Sequence, residues 1–313
     1  MENSATIAVI TVTFHPDVAR LQRQIAALPS NSRLVIVDNA STTEEVAEIK
    51  RLVDNHDNAV LLQNAENAGL GAAVNQGAAH AMRVSPEIEF LLLMDQDSVP
   101  HKGAVEELMR TFFALETAGS RVGGVGPRLI DESTHLQHGF HTIKGCFLRR
   151  VFPAADAREP VECLGINGSG TLVRASLFQE LGGLEVDFFI DQIDTEWSFR
   201  TRAAGYRSYG IPQARFDHSM GERGVAFWFF GWHVWPHRSP YRHYYLFRNA
   251  MRLYRRPYAP RVWKFWNVIK LSATFCIHGL FDKQRKAQMG NMLRGVRDGL
   301  RMDSSKERLT CQK

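Results

Sequence analysis

The alternation of short β-rich runs with helical patterns over residues 1–100 is the feature that most constrains the fold of this chain. Four β-rich runs alternate with three helical patterns, at residues 7–14, 17–27, 34–37, 43–53, 59–62, 70–82 and 90–94. This βαβαβαβ order predicts an α/β fold with a mostly parallel central sheet flanked by helices. Ligands of such open sheets bind beyond the carboxyl ends of the strands.

Polar residues and glycines occur at the carboxyl ends of all four predicted strands. In chain order they are Thr13, His15, Asp38, Asn39, Ser41, Asn64, Asn67, Gly69, Gly71, Asp95, Gln96, Asp97 and Ser98. Parallel strands end at the same edge of a sheet, so we expect these residues to form one binding site there.

Asp95 and Asp97 follow a strand that we expect to be buried. With one residue between them, both carboxylates can turn toward a hard cation, and Mg²⁺ or Mn²⁺ bridging a diphosphate is the natural occupant. A lone Asp-x-Asp more often caps a strand. Its alignment with three other polar strand ends favours the metal site.

Asp38 and Asn39 have two interpretations that the sequence leaves open. A carboxylate here can accept hydrogen bonds from a nucleotide base or ribose. The same residues, with Ser41, can form an Asx turn that caps the next helix.

The glycines after the third strand do not form a dinucleotide fingerprint. Val74 stands where the third glycine or alanine would be, and the segment follows the third strand instead of the first, which disfavours a Rossmann dehydrogenase. No G-x-x-x-x-G-K-[ST] motif occurs, which excludes a P-loop NTPase. Gly69 and Gly71 are expected to allow close packing or close backbone approach to a ligand, with Asn75 one helical turn further on.

Residues 189–204 are expected to form a helix on which Asp191 and Asp194 share a face. Either acid is a candidate general base, although acids on such a helix are more often a solvated face. Glu196 lies four residues before Arg200 and is expected to form a structural ion pair. His218 follows another β-like run and is either a metal or phosphate contact or a structural histidine.

The two parts of the chain differ in charge. Residues 1–199 contain 15 Lys/Arg against 27 Asp/Glu, whereas residues 200–313 contain 23 against 6. The second part therefore suggests an anionic partner, with nucleic acid, a membrane surface and a diphosphate substrate as candidates. Four widely spaced cysteines, Cys146, Cys163, Cys276 and Cys311, are expected to be reduced and structural.

The chain begins without a signal-like segment, so we expect an unprocessed, cytoplasmic start. No window reaches the roughly 20 uninterrupted apolar residues of a membrane-spanning helix. Residues 226–313 mix aromatic residues with arginine and lysine, a composition that favours the membrane interface. The alternative is a helical appendage whose aromatic residues form its core.

Taken together, the motifs resemble glycosyltransferase family 2, and within it the bacterial L-rhamnosyltransferases. The resemblance spans roughly residues 7–250, and its matching pieces are Asp38-Asn-Ala-Ser41, Asn67-Ala-Gly-Leu-Gly-Ala-Ala-Val-Asn-Gln-Gly77, Leu93-Met-Asp-Gln-Asp-Ser98, Phe188-Phe-Ile-Asp-Gln-Ile-Asp-Thr-Glu196 and Tyr244-Tyr-Leu-Phe-Arg-Asn249. It implies a GT-A nucleotide-diphosphosugar transferase fold. The catalytic acid of the family usually follows a Glu, whereas Ile193 precedes Asp194 here, which leaves Asp191 as a competitor.

The resemblance also implies roles for the site residues. Asp38 would face the base, Asp95 and Asp97 the ribose, diphosphate and metal, and His218 the metal or a phosphate. The nucleotide-sugar site would comprise Thr11, Thr13, Asp38, Asn39, Asn67, Gly69, Gly71, Asn75, Asp95 and Gln96. The acceptor side would comprise Gly168, Ser169, Trp197 and Arg248.

The implied activity is an inverting, metal-dependent transfer of L-rhamnose from dTDP-L-rhamnose, with Mg²⁺ or Mn²⁺ as cofactor. The acceptor would be a glycan or lipid-linked intermediate of bacterial surface polysaccharide or glycolipid synthesis. We expect a catalytic domain over residues 1–225, with a donor half at 1–100 and an acceptor half at 101–225. We expect residues 226–313 to bind peripherally to the inner face of the cell membrane, and no nucleic acid to bind.

Two other functions fit parts of the pattern. A sugar-nucleotide nucleotidyltransferase also uses a parallel sheet and metal-binding carboxylates, but would carry a glycine-rich basic loop after the first strand, where Thr13-Phe-His-Pro stands. A non-enzymatic scaffold would bind membrane or nucleic acid through residues 200–313 and would not need Asp97.

Overall fold

The computed structural model describes residues 6–219, 224–228 and 232–301. The chain divides into two compact units. Unit 1 comprises Met1–Phe189 and Ile193–Met220, and unit 2 comprises Ile190–Gln192 and Gly221–Lys313. The predicted domain boundary at residue 225 and the two predicted halves of the catalytic domain stay predictions.

Unit 1 has alternating strands and helices in its amino-terminal part. Its strands are β1 (Ile7–Thr13), β2 (Arg33–Asp38), β3 (Ala59–Gln63), β4 (Phe90–Asp95), β5 (Ser98–Pro100), β6 (Val122–Asp131), β7 (Phe140–Lys144), β8 (Phe147–Val151), β9 (Val161–Cys163), β10 (Thr171–Arg174) and β11 (Arg207–His218). Its helices are α1 (Val18–Ala27), α2 (Thr43–Asp54), α3 (Leu70–Val84), α4 (Ala104–Thr117), α5 (Ala175–Glu180) and α6 (Ile193–Ala203), with a 3₁₀ turn at Val186–Phe188. The predicted βαβαβαβ order of residues 1–100 is confirmed.

A mixed sheet of nine strands is the framework of the described part of unit 1. Its order is β3-β2-β1-β4-β10-β6-β11-β5, with β9 paired to β11. The first four strands are parallel, and β10 lies antiparallel between β4 and β6. Because Thr13 pairs with Asp38 and Val12 with Asp95, the carboxyl ends of β1, β2 and β4 meet at one edge.

Burial explains why these segments form a covered sheet. All seven residues of β1 are buried, as expected for a strand with helices on both faces. On one face α3 packs so closely that a Cβ on Gly77 would lie 2.7 Å from Ile10 Cγ2. On the other face, Phe90 and Phe112 stack edge to face with ring centroids 5.0 Å apart.

The start of α6 differs from its predicted position. The helix begins at Ile193, because Phe189, Asp191 and Gln192 have left-handed φ values of 62°, 63° and 63° that a right-handed helix excludes. The prediction that Asp191 and Asp194 share a helix face is therefore wrong. Asp194 lies in the first turn of α6, and Asp191 precedes the helix.

Unit 2 contains two short antiparallel strands and three consecutive helices in its described part. They are β12 (Val225–Trp228), β13 (Trp232–Trp235), α7 (Pro240–Arg255), α8 (Arg261–Phe281) and α9 (Arg285–Arg301). Phe247, Ala250, Leu271 and Met292 form a small core of its own. The helical prediction for this region is confirmed, and none of the described helices is long and apolar enough to cross a membrane.

The cysteines only partly follow their prediction. No disulfide joins the three within the described residues. Cys163 is buried, and burial raises the pKa of its thiol to about 12, which fits a structural residue. Cys146 and Cys276 are exposed, so the structural prediction is wrong for these two. Cys311 lies outside the described residues.

Candidate functional site

Asp95, Asp97 and His218 converge at the strand-end edge of unit 1. One potential ligand atom from each lies within 4.8 Å of the others, and His218 Nδ1 is 3.3 Å from Asp97 Oδ1. The topology explains this, because β5 pairs antiparallel with β11 and places His218 opposite Ser98. The structure therefore brings together the three residues that the sequence predicted to lie at one site.

Asp97 Oδ1 is a buried carboxylate oxygen that lies within ion-pair distance of His218 Nδ1 but accepts no hydrogen bond from the residues that the structure describes. Leaving such an oxygen without a hydrogen bond has an unfavourable free energy, which a bound cation would offset. Two carboxylates and an imidazole are a suitable ligand set for Mn²⁺ or Mg²⁺. The residues present therefore fit a divalent cation.

Gln24 was not predicted from the sequence. Its side chain holds the backbone of residues 95–98, the acidic loop. Its Nε2 donates to the carbonyl oxygens of Asp95 (2.8 Å) and Ser98 (2.6 Å), and its Oε1 accepts from Thr11 Oγ1 at 2.9 Å. Gln24 and Thr11 are fully buried, so Thr11 would act on a nucleotide sugar only indirectly. A glutamine between Leu21 and Ile25 on the apolar stripe of α1 was the available signal.

Arg20 and Glu132 were also missed. Arg20 donates to the Asp97 carbonyl oxygen at 3.1 Å and to Glu132 Oε2 at 2.5 Å. A further hydrogen bond from Arg23 lowers the pKa of the Glu132 carboxyl group, which stays charged. Because Arg20 and Glu132 are 112 positions apart in the chain, no local pattern could have identified the pair.

Both carboxylate oxygens of Asp38 accept hydrogen bonds from neighbouring residues. Its Oδ1 accepts from Thr13 Oγ1 (3.0 Å) and Ser41 Oγ (2.5 Å), and its Oδ2 accepts from the Ser41 amide at 2.9 Å. Asp38 is 1% exposed. The Asx-turn interpretation is therefore present in the structure, and a base contact by Asp38 stays a prediction.

An asparagine network joins the ends of β2 and β3. Asn39 donates to Asn67 Oδ1 at 2.9 Å and accepts from the Ala68 amide and from Asn64. Gln96 likewise holds the end of β1, because its side chain pairs with both backbone groups of Phe14 at 2.7 and 3.1 Å. These predicted binding residues shape the edge through contacts with the backbone and with each other.

Gly69, Gly71 and Asn75 all contact the segment 184–189. A Cβ on Gly69 would lie 2.7 Å from the Phe189 ring, and one on Gly71 would lie 2.9 Å from the Glu185 carbonyl oxygen. Asn75 pairs with both backbone groups of Leu184 at 2.8 Å. Of the two expectations for the glycines, close packing is the one observed.

Gly168 and Ser169 connect the acidic loop to α6. Ser169 Oγ accepts from the Asp95 amide at 3.2 Å, and a Cβ on Gly168 would lie 4.0 Å from Asp194 Cβ. Asp194 is half-buried, accepts from the Thr195 amide and lies at the positive end of the helix dipole. The candidate base thus lies beside Gly168, next in the chain to the Ser169 that contacts Asp95.

The remaining residues of α6 are structural. Glu196 is fully buried and pairs with Arg200 at 2.8 Å, as predicted, and Arg200 also donates to the Leu181 and Gly183 carbonyl oxygens. Trp197 is 5% exposed and packs against Phe178 with ring centroids 5.2 Å apart. Its ring is therefore largely covered, and its acceptor-side role stays a prediction.

Asp191 belongs to unit 2, where its side chain is 4% exposed and paired with two arginines. It accepts from Arg242 at 2.8 and 3.2 Å and from Arg238 at 3.3 Å. Asn249 donates to the backbone carbonyl oxygens of Ile190 and Asp191 at 2.9 Å. A carboxylate held in this way is a poor general base.

Arg248, predicted on the acceptor side, also lies in unit 2. Its guanidinium stacks on Tyr245 at 4.5 Å from the ring centroid, and Arg294 stacks on Tyr244 at the same distance. These cation–π contacts order the surface shared by α7 and α9.

Two solved glycosyltransferase structures resemble the chain in fold. GalNAc-T7 with UDP, GalNAc and Mn²⁺ superposes with a TM-score of 0.60 at 15% identity, over 100% of this chain and 58% of that one. The mannosyltransferase PcManGT from Pyrobaculum calidifontis, in complex with GDP-Man and Mn²⁺, superposes with a TM-score of 0.56 at 16% identity, over 97% and 78%. The predicted GT-A fold is thereby confirmed.

Sequence comparison gives two informative relatives and a family. The chain is 28% identical over 262 residues to dTDP-rhamnosyl transferase RfbF of Shigella flexneri, a match that covers 82% of each chain. It is 25% identical over 241 residues to N-acetylglucosaminyl-diphospho-decaprenol L-rhamnosyltransferase of Mycobacterium tuberculosis strain H37Rv, over 68% of this chain and 75% of that protein. Residues 9–182, more than half of the chain, match the model of glycosyl transferase family 2. The chain therefore belongs to glycosyltransferase family 2.

Proposed function

We propose that this glycosyltransferase transfers L-rhamnose from dTDP-L-rhamnose, with inversion, to a hydroxyl group of a glycan or lipid-linked acceptor. The observation that carries the proposal is the convergence of Asp95, Asp97 and His218 at the strand-end edge. Asp194 lies beside Gly168, whose neighbour Ser169 contacts the Asp95 amide. The printed names of both relatives support the choice of a rhamnosyl donor.

Asp95, Asp97 and His218 would hold a divalent cation, Mg²⁺ or Mn²⁺. The Asp97 oxygen that accepts no hydrogen bond supports this assignment, as does the presence of Mn²⁺ in both structures of similar fold. When bound, such a cation neutralises negative charge on the diphosphate leaving group. Gln24, Ser169 and Arg20 keep the backbone of residues 95–98 in place around it.

Asp194 is the proposed general base. The acceptor hydroxyl oxygen forms a bond to C1 of rhamnose, and the proton of that hydroxyl passes to the Asp194 carboxylate. The bond from C1 to the diphosphate breaks, and the electron pair of that bond leaves with dTDP. Attack opposite the leaving group gives an α-linked product. Asp191 is an unsuitable base because both of its oxygens already accept from arginines.

The acceptor is proposed to be an intermediate of bacterial surface polysaccharide or glycolipid synthesis, met at the cytoplasmic face of the membrane. The basic helices of unit 2 support a peripheral position there, because anionic lipids attract clustered arginine and lysine.

A donor panel tests the proposal. Binding of dTDP-L-rhamnose, UDP-sugars and GDP-sugars is measured by calorimetry with Mn²⁺, with Mg²⁺ and with chelator. We expect tight binding only of the dTDP-sugar and only with a divalent cation. Preferred binding of a nucleoside triphosphate with a sugar phosphate would favour the nucleotidyltransferase alternative instead.

A further inference from the structure

An exposed apolar face runs along α8 in unit 2. Phe265, Val268, Ile269, Cys276 and Leu280 are all exposed on this helix. At 100° per residue they fall within about 120° of one another around the helix axis. The stripe from Phe265 to Leu280 is about 22 Å long at 1.5 Å per residue. A long apolar stripe of this kind marks a surface that contacts a partner.

Basic residues border this face on both sides. Helical geometry places Lys264 on one flank and Lys270 on the other, and Arg261 lies at its amino-terminal end. The sequence of α8 contains no acidic residue. Over α7, α8 and α9 together, twelve arginines and lysines stand against one carboxylate, Asp298. The partner of this face is therefore both apolar and anionic.

We infer that the apolar face of α8 is a docking surface for an anionic lipid bilayer, on which the helix lies parallel to the membrane plane. Apolar side chains would enter the acyl boundary, while the exposed Arg261 and Lys270 at its borders face the anionic headgroups. A soluble anionic ligand would leave the apolar stripe in water, and a second copy of this basic helix would oppose positive charges. The inference rests on the proposed membrane-side acceptor and identifies the surface that would meet the bilayer.

Vesicle sedimentation with the full chain tests the inference. Phe265→Glu and Leu280→Glu are each expected to lower the partition coefficient on phosphatidylglycerol-containing vesicles about tenfold or more, because a buried apolar side chain is replaced by a charge that anionic lipids repel. Wild-type protein should bind pure phosphatidylcholine vesicles about tenfold more weakly. Lys270→Glu, which leaves the apolar residues intact, should also weaken binding and increase its loss at high salt.

Leu136→Glu is the matched control. Leu136 lies in unit 1 and is 65% exposed, close to the 68% of Leu280, and the substitution makes the same change in charge. It should bind vesicles like the wild type. A polarity-sensitive fluorophore on Cys276 should shift to the blue with anionic vesicles, and the same probe on the exposed Cys146 of unit 1 should not.

Equal vesicle binding by Leu280→Glu and Leu136→Glu would overturn the inference. A second pair of results would also overturn the inference: no vesicle binding by the wild type, and a wild-type dimer in sedimentation velocity that Phe265→Glu dissociates. A second copy would then cover the face. Calorimetric donor binding is measured on every variant, so a misfolded variant is recognised and a failure of the proposed function appears separately from a failure of membrane docking.

Discussion

The strand-end edge of unit 1 and the helices of unit 2 carry opposite charges, and their charged residues are arranged differently along the chain. At the edge, Gln24 and Ser169 hold the backbone of Asp95, and His218 contacts the Asp97 carboxylate; all three come from distant parts of the chain. In unit 2, the arginines and lysines are spread over three consecutive helices. Single substitutions at the edge should therefore lower activity strongly. Each cation of unit 2 should contribute only a small part of the membrane binding.

Asp97→Asn should give the largest effect. We expect transfer to fall about a thousandfold, because the substitution removes the charge of a metal ligand worth several kcal/mol to the reaction. The initial rate with dTDP-L-rhamnose measures the loss, and circular dichroism checks the fold. Asp217→Asn, on the same strand as His218, is the control and should stay active. Unchanged turnover of Asp97→Asn would contradict the proposed cation site, and no transfer by the wild type would favour the non-enzymatic scaffold.

Asp194→Asn and Asp191→Asn should separate catalysis from structure. Asp194→Asn is expected to lower kcat about a hundredfold or more at saturating donor while leaving stability near wild type. Asp191→Asn leaves Arg238 and Arg242 without their carboxylate, so it should lower the free energy of unfolding more than it lowers kcat. If only Asp191→Asn abolishes kcat in a stable protein, the assignment of the base is wrong.

Acid should destabilise unit 2 through the buried His243. Burial lowers the pKa of His243 to about 4, and a contact from Gln288 at 2.6 Å partly opposes this. Because the folded pKa lies below the unfolded value near 6.5, stability is complete above pH 6.5 and is lost as the pH falls toward 4, by roughly 3 kcal/mol. Urea unfolding at a series of pH values measures it.

His243→Gln provides the comparison for that profile. The glutamine has no titrating group, so the free energy of unfolding of this variant should depend less on pH between 7 and 4 than that of the wild type. Equal pH dependence of the two proteins would mean that His243 is not the group responsible.

Gln24→Met should give a smaller effect at the edge. The thioether cannot donate to the carbonyl oxygens of Asp95 and Ser98, which costs about 2 kcal/mol of stability and loosens the cation site. Thermal unfolding and the Mn²⁺ dependence of the rate are the measurements. Gln22→Met, at an exposed position of the same helix, should change neither.

Local patterns were sufficient to predict β1 to β4, α1 to α3 and the edge that they form. Alternating apolar runs fixed the strands, and parallel pairing then required Asp38 and Asp95 to lie near each other. The start of α6 was not predictable in this way. Phe189, Asp191 and Gln192 have no residue type that demands a left-handed φ, and contacts from Asn249, Arg238 and Arg242 hold residues 190–192 from far along the chain.

The same limit applies to the supporting residues of the site. Thr11 lies near the end of β1 and Asn75 lies in α3, and their polar side chains suggested ligand contacts, yet their partners are Gln24 and the Leu184 backbone. Trp197 was on the apolar stripe of a predicted helix, and its packing against Phe178 was the simpler expectation. Residue type and spacing identify the site, whereas the division between binding and support depends on tertiary contacts.

The pairing of β5 with β11 has a thermodynamic consequence. A cation held by Asp97 and His218 would close a loop of about 120 residues, since Ser98 and His218 are 120 positions apart. It would act as a reversible cross-link that the unfolded chain cannot bind equally well, and would raise the melting temperature with cation concentration. Metal affinity should then be measurable from thermal unfolding alone, before any sugar donor or acceptor is available.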